Sequence, residues 1–194
     1  CKHLGVHIDF APDIDINTNP KNPIIGNRSF GESKFNVAQK AVAFTKGMQS
    51  AGVLACGKHF PGHGDTEKDS HKTLPTVSFS RERLETTEFY PFQQLISAGV
   101  ASLMVGHLNV PALDEGKPTS ISYKVVSRLI KQQMGFQGLI FSDALGMKGV
   151  ADYAESSQVD LQAFLAGNDI LLMSSDPIKG IEALKKAYEK GEIN

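Results

Sequence analysis

The sequence contains no tryptophan and only two cysteines in 194 residues. Cys1 and Cys56 match neither a zinc-ligand spacing nor a disulfide framework, so cysteine chemistry does not organise the chain. Long apolar runs are also missing. Apolar stretches such as 139–141 and 170–173 fall far short of the ~20 residues that a membrane-spanning helix needs, so no membrane span is expected. No charge of one sign predominates, with 20 Lys plus Arg against 21 Asp plus Glu and a net charge of -1. Without a basic field there is nothing to hold nucleic acid phosphates by counterion release, and nucleic acid is not an expected partner. Hydrophobic residues at 41% and charged residues at 21% exclude disorder and collagen-like repeats and promise a real core. The start lacks an initiator Met and any signal-peptide-like apolar segment, so it reads as a cut. Targeting information would lie upstream of Cys1, and a bacterial cytoplasm or a periplasm or cell envelope both fit.

What is present is an alternation of short apolar runs with longer amphipathic segments, the pattern of repeated strand-helix units around a buried parallel sheet. Five runs, at 6–11, 53–57, 101–105, 139–141 and 170–173, are expected strands. Helices are expected at 33–50, 81–97, 123–134, 157–166 and 178–190. Phe35, Val37, Ala41, Val42 and Phe44 would form the inner face of the first. Ser80 and Ser122 are placed to cap the second and third, and Gly167 to end the fourth. The runs lack polar alternation, as strands covered by helices on both faces do. The class is therefore α/β. A doubly wound sheet and an eight-unit barrel share this pattern, and with five units visible the barrel needs sequence beyond this chain. Polar residues favour the barrel. Asp13 and Asp15 follow the first run, Lys58 and His59 the second, His107 the third and Asp143 the fourth, all at carboxyl ends, where barrel enzymes carry their chemistry. A doubly wound fold would show a Gly-rich phosphate turn where Ala11-Pro12-Asp13 stands.

The densest polar segment is Lys58-His59-Phe60-Pro61-Gly62-His63-Gly64-Asp65-Thr66, continuing to Asp69-Ser70-His71. One reading is a solvated loop punctuated by Pro and Gly. A second is a metal site, because His59 and His63 have i, i+4 spacing, although Pro61 and Gly62 break the helix that would align them. A third is proton transfer. Imidazole titrates near ~6.5, and a carboxylate two residues away can fix the tautomer of His71 and support its charged form, which pairs it with Asp69. Asp143 ends a run too apolar to finish on a carboxylate unless the strand tip opens onto something polar. There it could attack an electrophilic carbon, or serve as an N-cap or loop salt-bridge partner. Arg28 is by default a surface loop residue, and Asp13 and Asp15 read as groups that hold loop backbone.

Taken together, Ala11-Pro12-Asp13-Ile14-Asp15, the Ile25 to Gly31 loop, the Lys-His-Phe-Pro-Gly-His-Gly segment through Asp69-Ser70-His71, and Ser142-Asp143-Ala144-Leu145-Gly146-Met147 resemble the family 3 glycoside hydrolases. More narrowly, they resemble the bacterial β-N-acetylglucosaminidase (β-hexosaminidase) branch. The likeness covers 1–194 as one partial catalytic barrel domain. It implies a (β/α)8 TIM-type barrel and a retaining double displacement that removes terminal β-linked N-acetylglucosamine, with peptidoglycan turnover as the usual setting and no cofactor or metal. By position it makes Asp143 the nucleophile, His71 the acid/base and Asp69 its partner, with Arg28, Lys58 and His59 binding the sugar. A histidine acid/base departs from the two-carboxylate template, and a neutral imidazole avoids repelling an anionic product. A β-glucosidase or β-xylosidase of the same family would take its acid/base carboxylate from a later domain, and a non-catalytic sugar-binding remnant would have no need of the nucleophile with a proton shuttle. The resemblance also implies an Asp and an Arg upstream of Val6 and a last barrel unit after Asn194, so the chain is expected to be part of a longer enzyme.

Overall fold

A computed structural model describes residues 1–66 and 73–193. Four strands, β1 (Ile8–Asp9), β2 (Leu54–Phe60), β3 (Ser102–Val105) and β4 (Leu139–Ser142), form one parallel sheet in the order β1-β2-β3-β4. Ser102 pairs with Leu139 and Val105 with Ser142, and β2 meets β3 through Cys56–Ser102 and Gly57–Leu103 before a shift brings Phe60 to Val105. Sequence order equals spatial order, as right-handed strand-helix-strand units produce. The fifth expected strand is reduced to a single parallel bridge, Phe141 to Ile170.

Helices cover the sheet in turn. They are α1 (Lys34–Ser50), α2 (Arg81–Arg83), α3 (Phe89–Ser97), α4 (Pro111–Asp114), α5 (Lys148–Ala151), α6 (Ser156–Ala166) and α7 (Pro177–Glu189). The expected helix at 81–97 is continuous but wound as a π-helix over Leu84–Glu88, and the one at 123–134 is π-wound over Lys124–Gln133. Ser80 Oγ accepts the Arg83 N–H and Ser122 Oγ the Val125 N–H, as N-caps should. Gly167 ends α6 at φ 108°, where a Cβ would be strained.

The core lies between the sheet and the outer helices, with Ile14, Phe60, Phe92, Leu95, Leu103 and Ile140 fully buried. Phe60 stacks on Phe89 at 5.3 Å and meets Phe92 edge-on at 5.0 Å. Gly57 lets Leu95 and Leu103 close on β2, because a Cβ there would stand 2.8 Å from Leu95 Cδ2 and 3.2 Å from Leu103 Cδ2. One expectation fails on α1. Its buried residues are Val37, Ala38, Ala41 and Thr45, whereas Phe35 and Phe44 are 61% and 41% exposed. At 100° per residue Phe35 falls about 80° beyond one edge of the stripe that Val37, Ala41 and Thr45 define, and Phe44 about 20° outside the other, beside Val37. They find partners at its margins instead, Phe35 on Tyr90 and Phe44 on Phe30.

Candidate active site

The polar residues expected at the carboxyl ends of the strands do gather there. Lys58 and His59 lie within the C-terminal end of β2 rather than after it, since the strand runs on to Phe60. After β1 the chain stays against β2 through Pro12 and Asp13. Lys58 N–H donates to the Pro12 carbonyl and Ile14 N–H to the Lys58 carbonyl. Asp143 follows β4 directly, and its N–H donates to the Val105 carbonyl at 2.9 Å.

Buried Asp15 organises the floor. Its Oδ1 accepts the His63 N–H at 2.6 Å, and its Oδ2 accepts the His59 N–H at 3.2 Å and faces His59 Nδ1 at 2.7 Å. Burial pushes the His59 imidazole down to about 4, so the ring is neutral and this contact is a hydrogen bond more than an ion pair. With two backbone donors already on Asp15, Nδ1 is best the third donor, which turns the Nε2 lone pair away from Asp15. The loop backbone is equally fixed. Asn22 Nδ2 donates to the His63 carbonyl at 2.7 Å, and Gly64 lies so close to Ile16 that a Cβ would stand 1.9 Å from its carbonyl oxygen. The sequence reading of Asp15 as a group that holds backbone describes these contacts. Asp13 does less of this, accepting the Asp15 N–H and standing 3.3 Å from Arg28 Nη2. Burial first, and the nearby Asp15 second, push its carboxyl up to about 7.

Asp13, Asp15 and His59 bring one ligand atom each within 4.8 Å of one another. Asp15 Oδ2 and His59 Nδ1 are engaged with each other, so an ion held by both would have to displace that hydrogen bond. His59 and His63, the pair that the sequence offers at i, i+4, sit in a strand and its following loop with rings 6.1 Å apart and nearly perpendicular.

A cavity of about 600 Å³ opens above this floor, and Arg28, Lys58, His59, His63 and Asp143 line it. Phe10, Met104, Met147, Leu172 and Met173 are among its apolar lining residues. Asp143 Oδ1 accepts the Ala144 N–H at 2.8 Å. Burial alone would raise the Asp143 carboxyl. The facing His59 and His107, the Ala144 N–H and the Lys58 ammonium outweigh it and hold the group below the ordinary carboxylate range. Fully buried His107 steadies the turn, with Nε2 at 2.9 Å from the Ala144 carbonyl and Nδ1 at 2.6 Å from Ser120 Oγ. The sequence places His107 at a strand end without giving it this task, and the apolar wall goes unread because scattered Met and Phe look like core. Asp69 and His71 lie outside the described residues.

The geometry has counterparts. A solved β-N-acetylglucosaminidase of glycoside hydrolase family 3 from Paenibacillus sp. str. FPU-7 superposes with a TM-score of 0.95 at 40% identity, over 100% of this chain and 38% of that one. Beta-hexosaminidase A of Pseudoalteromonas piscicida is 38% identical over 88% of this chain and 30% of its own length. Beta-hexosaminidase of Neisseria meningitidis serogroup C is 37% identical over 89% of this chain and 47% of its own. The chain thus spans between about a third and a half of the curated relatives it matches. The four parallel strands are an unclosed arc of the TIM-type (β/α)8 architecture expected from the sequence. With residues 1–194 matched throughout by the family model described as the glycosyl hydrolase family 3 N-terminal domain, the chain belongs to that family.

Proposed function

We propose that this chain is the catalytic barrel domain of a retaining, exo-acting glycosidase that removes terminal β-linked N-acetylglucosamine, with peptidoglycan-derived fragments as substrates. One observation carries the reading. Asp143, held ionised, shares a single sugar-sized cavity with Arg28, Lys58 and His59. The names of the relatives, two beta-hexosaminidases and a β-N-acetylglucosaminidase, support the choice of sugar.

In this reading Arg28, Lys58 and the His59 Nε2 lone pair hold hydroxyl groups of the sugar. With its Oδ1 turned to Ala144 N–H, Asp143 attacks the anomeric carbon through Oδ2, and the bond from that carbon to the leaving oxygen breaks. His71, supported by Asp69, gives its proton to the departing oxygen, then takes one from the water that attacks the glycosyl-Asp143 ester and frees the carboxylate. Both steps pass through an oxocarbenium-like state that an ionised carboxylate stabilises. A depressed carboxyl suits the nucleophile, since it stays charged through neutral pH.

The test uses the full-length protein and an aryl β-N-acetylglucosaminide. Asp143→Asn should lose at least ~10³-fold in kcat, and a 5-fluoro sugar should label Asp143, as read by mass spectrometry of the peptide. Label on another residue, or turnover by the variant equal to wild type, refutes the assignment.

A further inference from the structure

The turn that carries Asp143 is pinned through the residue after it. Ala144 gives its N–H to Asp143 Oδ1 at 2.8 Å, and its carbonyl faces two donors, the Met147 N–H at 3.0 Å and His107 Nε2 at 2.9 Å. A carbonyl oxygen can only accept, so Nε2 carries a proton. Turning the ring over would put carbon atoms at both of its polar contacts, which settles its orientation. Nδ1 then meets Ser120 Oγ at 2.6 Å, with both residues fully buried. Ser120 is itself held from behind. Buried Asn168, just past the end of α6, donates its side-chain amide to the Ser120 carbonyl at 2.8 Å and to the Ala163 carbonyl at 2.6 Å. Thr119 Oγ1 grips the backbone on either side of His107, donating to the Gly106 carbonyl at 2.7 Å and accepting the Leu108 N–H at 3.1 Å. The 119–121 turn thus holds His107 by backbone and ring at once, while the cavity itself is lined by Asp143 and Ala144 and not by Thr119, Ser120 or His107.

We propose that Ser120 is a positioning residue for Asp143, aiming the His107 ring so that its Nε2–H holds the turn that carries the nucleophile; this rests on the glycosidase reading above. A hydroxyl suits the task because it can give its proton to a neutral ring or accept one from a charged ring, and in either state the Nε2–H stays on Ala144. Alanine removes the contact at Nδ1 and lets the ring swing. The serine does not touch the sugar, so its whole effect on the reaction passes through the imidazole.

The experiment compares wild type, Ser120→Ala, His107→Leu and the double variant in the full-length protein, with 4-nitrophenyl β-N-acetylglucosaminide as substrate and free N-acetylglucosamine as inhibitor. In Ser120→Ala, kcat/KM should fall about tenfold, because a small misplacement of the attacking group is costly. Inhibition by the free sugar should stay within about twofold, since the loss lies in the transition state and the groups that bind the sugar are untouched. In the His107→Leu background the same serine change should alter kcat/KM by less than about twofold, as expected when one residue acts through the other. Should His107→Leu fail to fold, His107→Gln takes its place in the cycle. Its amide nitrogen can stand in for Nε2 while nothing stands in for Nδ1, so Ser120→Ala should again be silent. An unchanged kcat/KM in Ser120→Ala, an equal loss in both backgrounds, or a loss matched by weaker inhibition overturns the proposal. A wild type that does not turn over the substrate defeats the parent reading and this proposal with it, an outcome told apart from the others by the wild-type rate alone.

Discussion

Removing the Asp15 carboxylate should damage the protein more than removing any of the charged groups around it. Its two oxygens accept three buried N–H donors, those of His63, His59 and the His59 ring. In Asp15→Ala all three lose their acceptor, and each unsatisfied buried donor costs about 1–3 kcal/mol. Against this, the variant no longer carries the cost of a buried charge, a cost that shows in the raised pKa of Asp15. Three unsatisfied donors less that relief leave a net loss on the order of 3–5 kcal/mol. Asp15→Asn should lose roughly half as much. One amide oxygen can replace Oδ2 and keep both His59 donors, but the amide nitrogen then opposes the His63 N–H. Denaturant unfolding at pH 7 reads the difference as a shift in midpoint at constant slope. A loss below about 1 kcal/mol in Asp15→Ala, or equal losses in the two variants, would refute this hydrogen-bond accounting.

Asp13 predicts a pH dependence. Its folded carboxyl, pushed up to about 7 from an ordinary 3.8, binds a proton that the unfolded chain releases, so its contribution is complete below pH ~4 and is lost as pH rises through about 7. Asp13→Asn should therefore match wild type near pH 4 and exceed it in melting temperature above pH 7; parallel curves would contradict the assignment. In Gly64→Ala the new methyl would meet the Ile16 carbonyl, so the loop must move, and kcat should drop on the order of 10²-fold because the site is misplaced. Unchanged kinetics would show that the loop can yield freely. Ser122→Ala removes both an N-cap and a hydrogen bond to Asp114 Oδ2, and chemical denaturation should register a loss of about 1–2 kcal/mol. No measurable loss there would mean that water replaces the hydroxyl.

Strand-helix alternation, the serine caps at Ser80 and Ser122, and the αL stop at Gly167 follow from local chemistry, and the structure reproduces them. Each depends on a few neighbouring residues, so no distant contact is needed to read them. Reading the inner face of α1 from apolar residues alone misplaces Phe35 and Phe44, because large rings can also be held at a helix margin by an aromatic neighbour distant in sequence, as Tyr90 holds Phe35. The fifth run pairs only at Ile170, and run length alone does not say which residues will find a strand partner.

At the site, residue types and their order give the candidates, since carboxylates, imidazoles and cations at successive strand ends converge wherever parallel strands lie side by side. Three things depended on the tertiary structure. Asp15 reaches 44 and 48 residues along the chain to His59 and His63, His107 supports the Asp143 turn from the next strand over, and Met173, which lines the cavity, takes a left-handed conformation. Sequence order fixes which groups can meet at the rim. Long-range hydrogen bonds and steric fit decide which of them are neutral, which are charged, and which way each one points, and those properties belong to the folded neighbourhood, beyond any single stretch of chain.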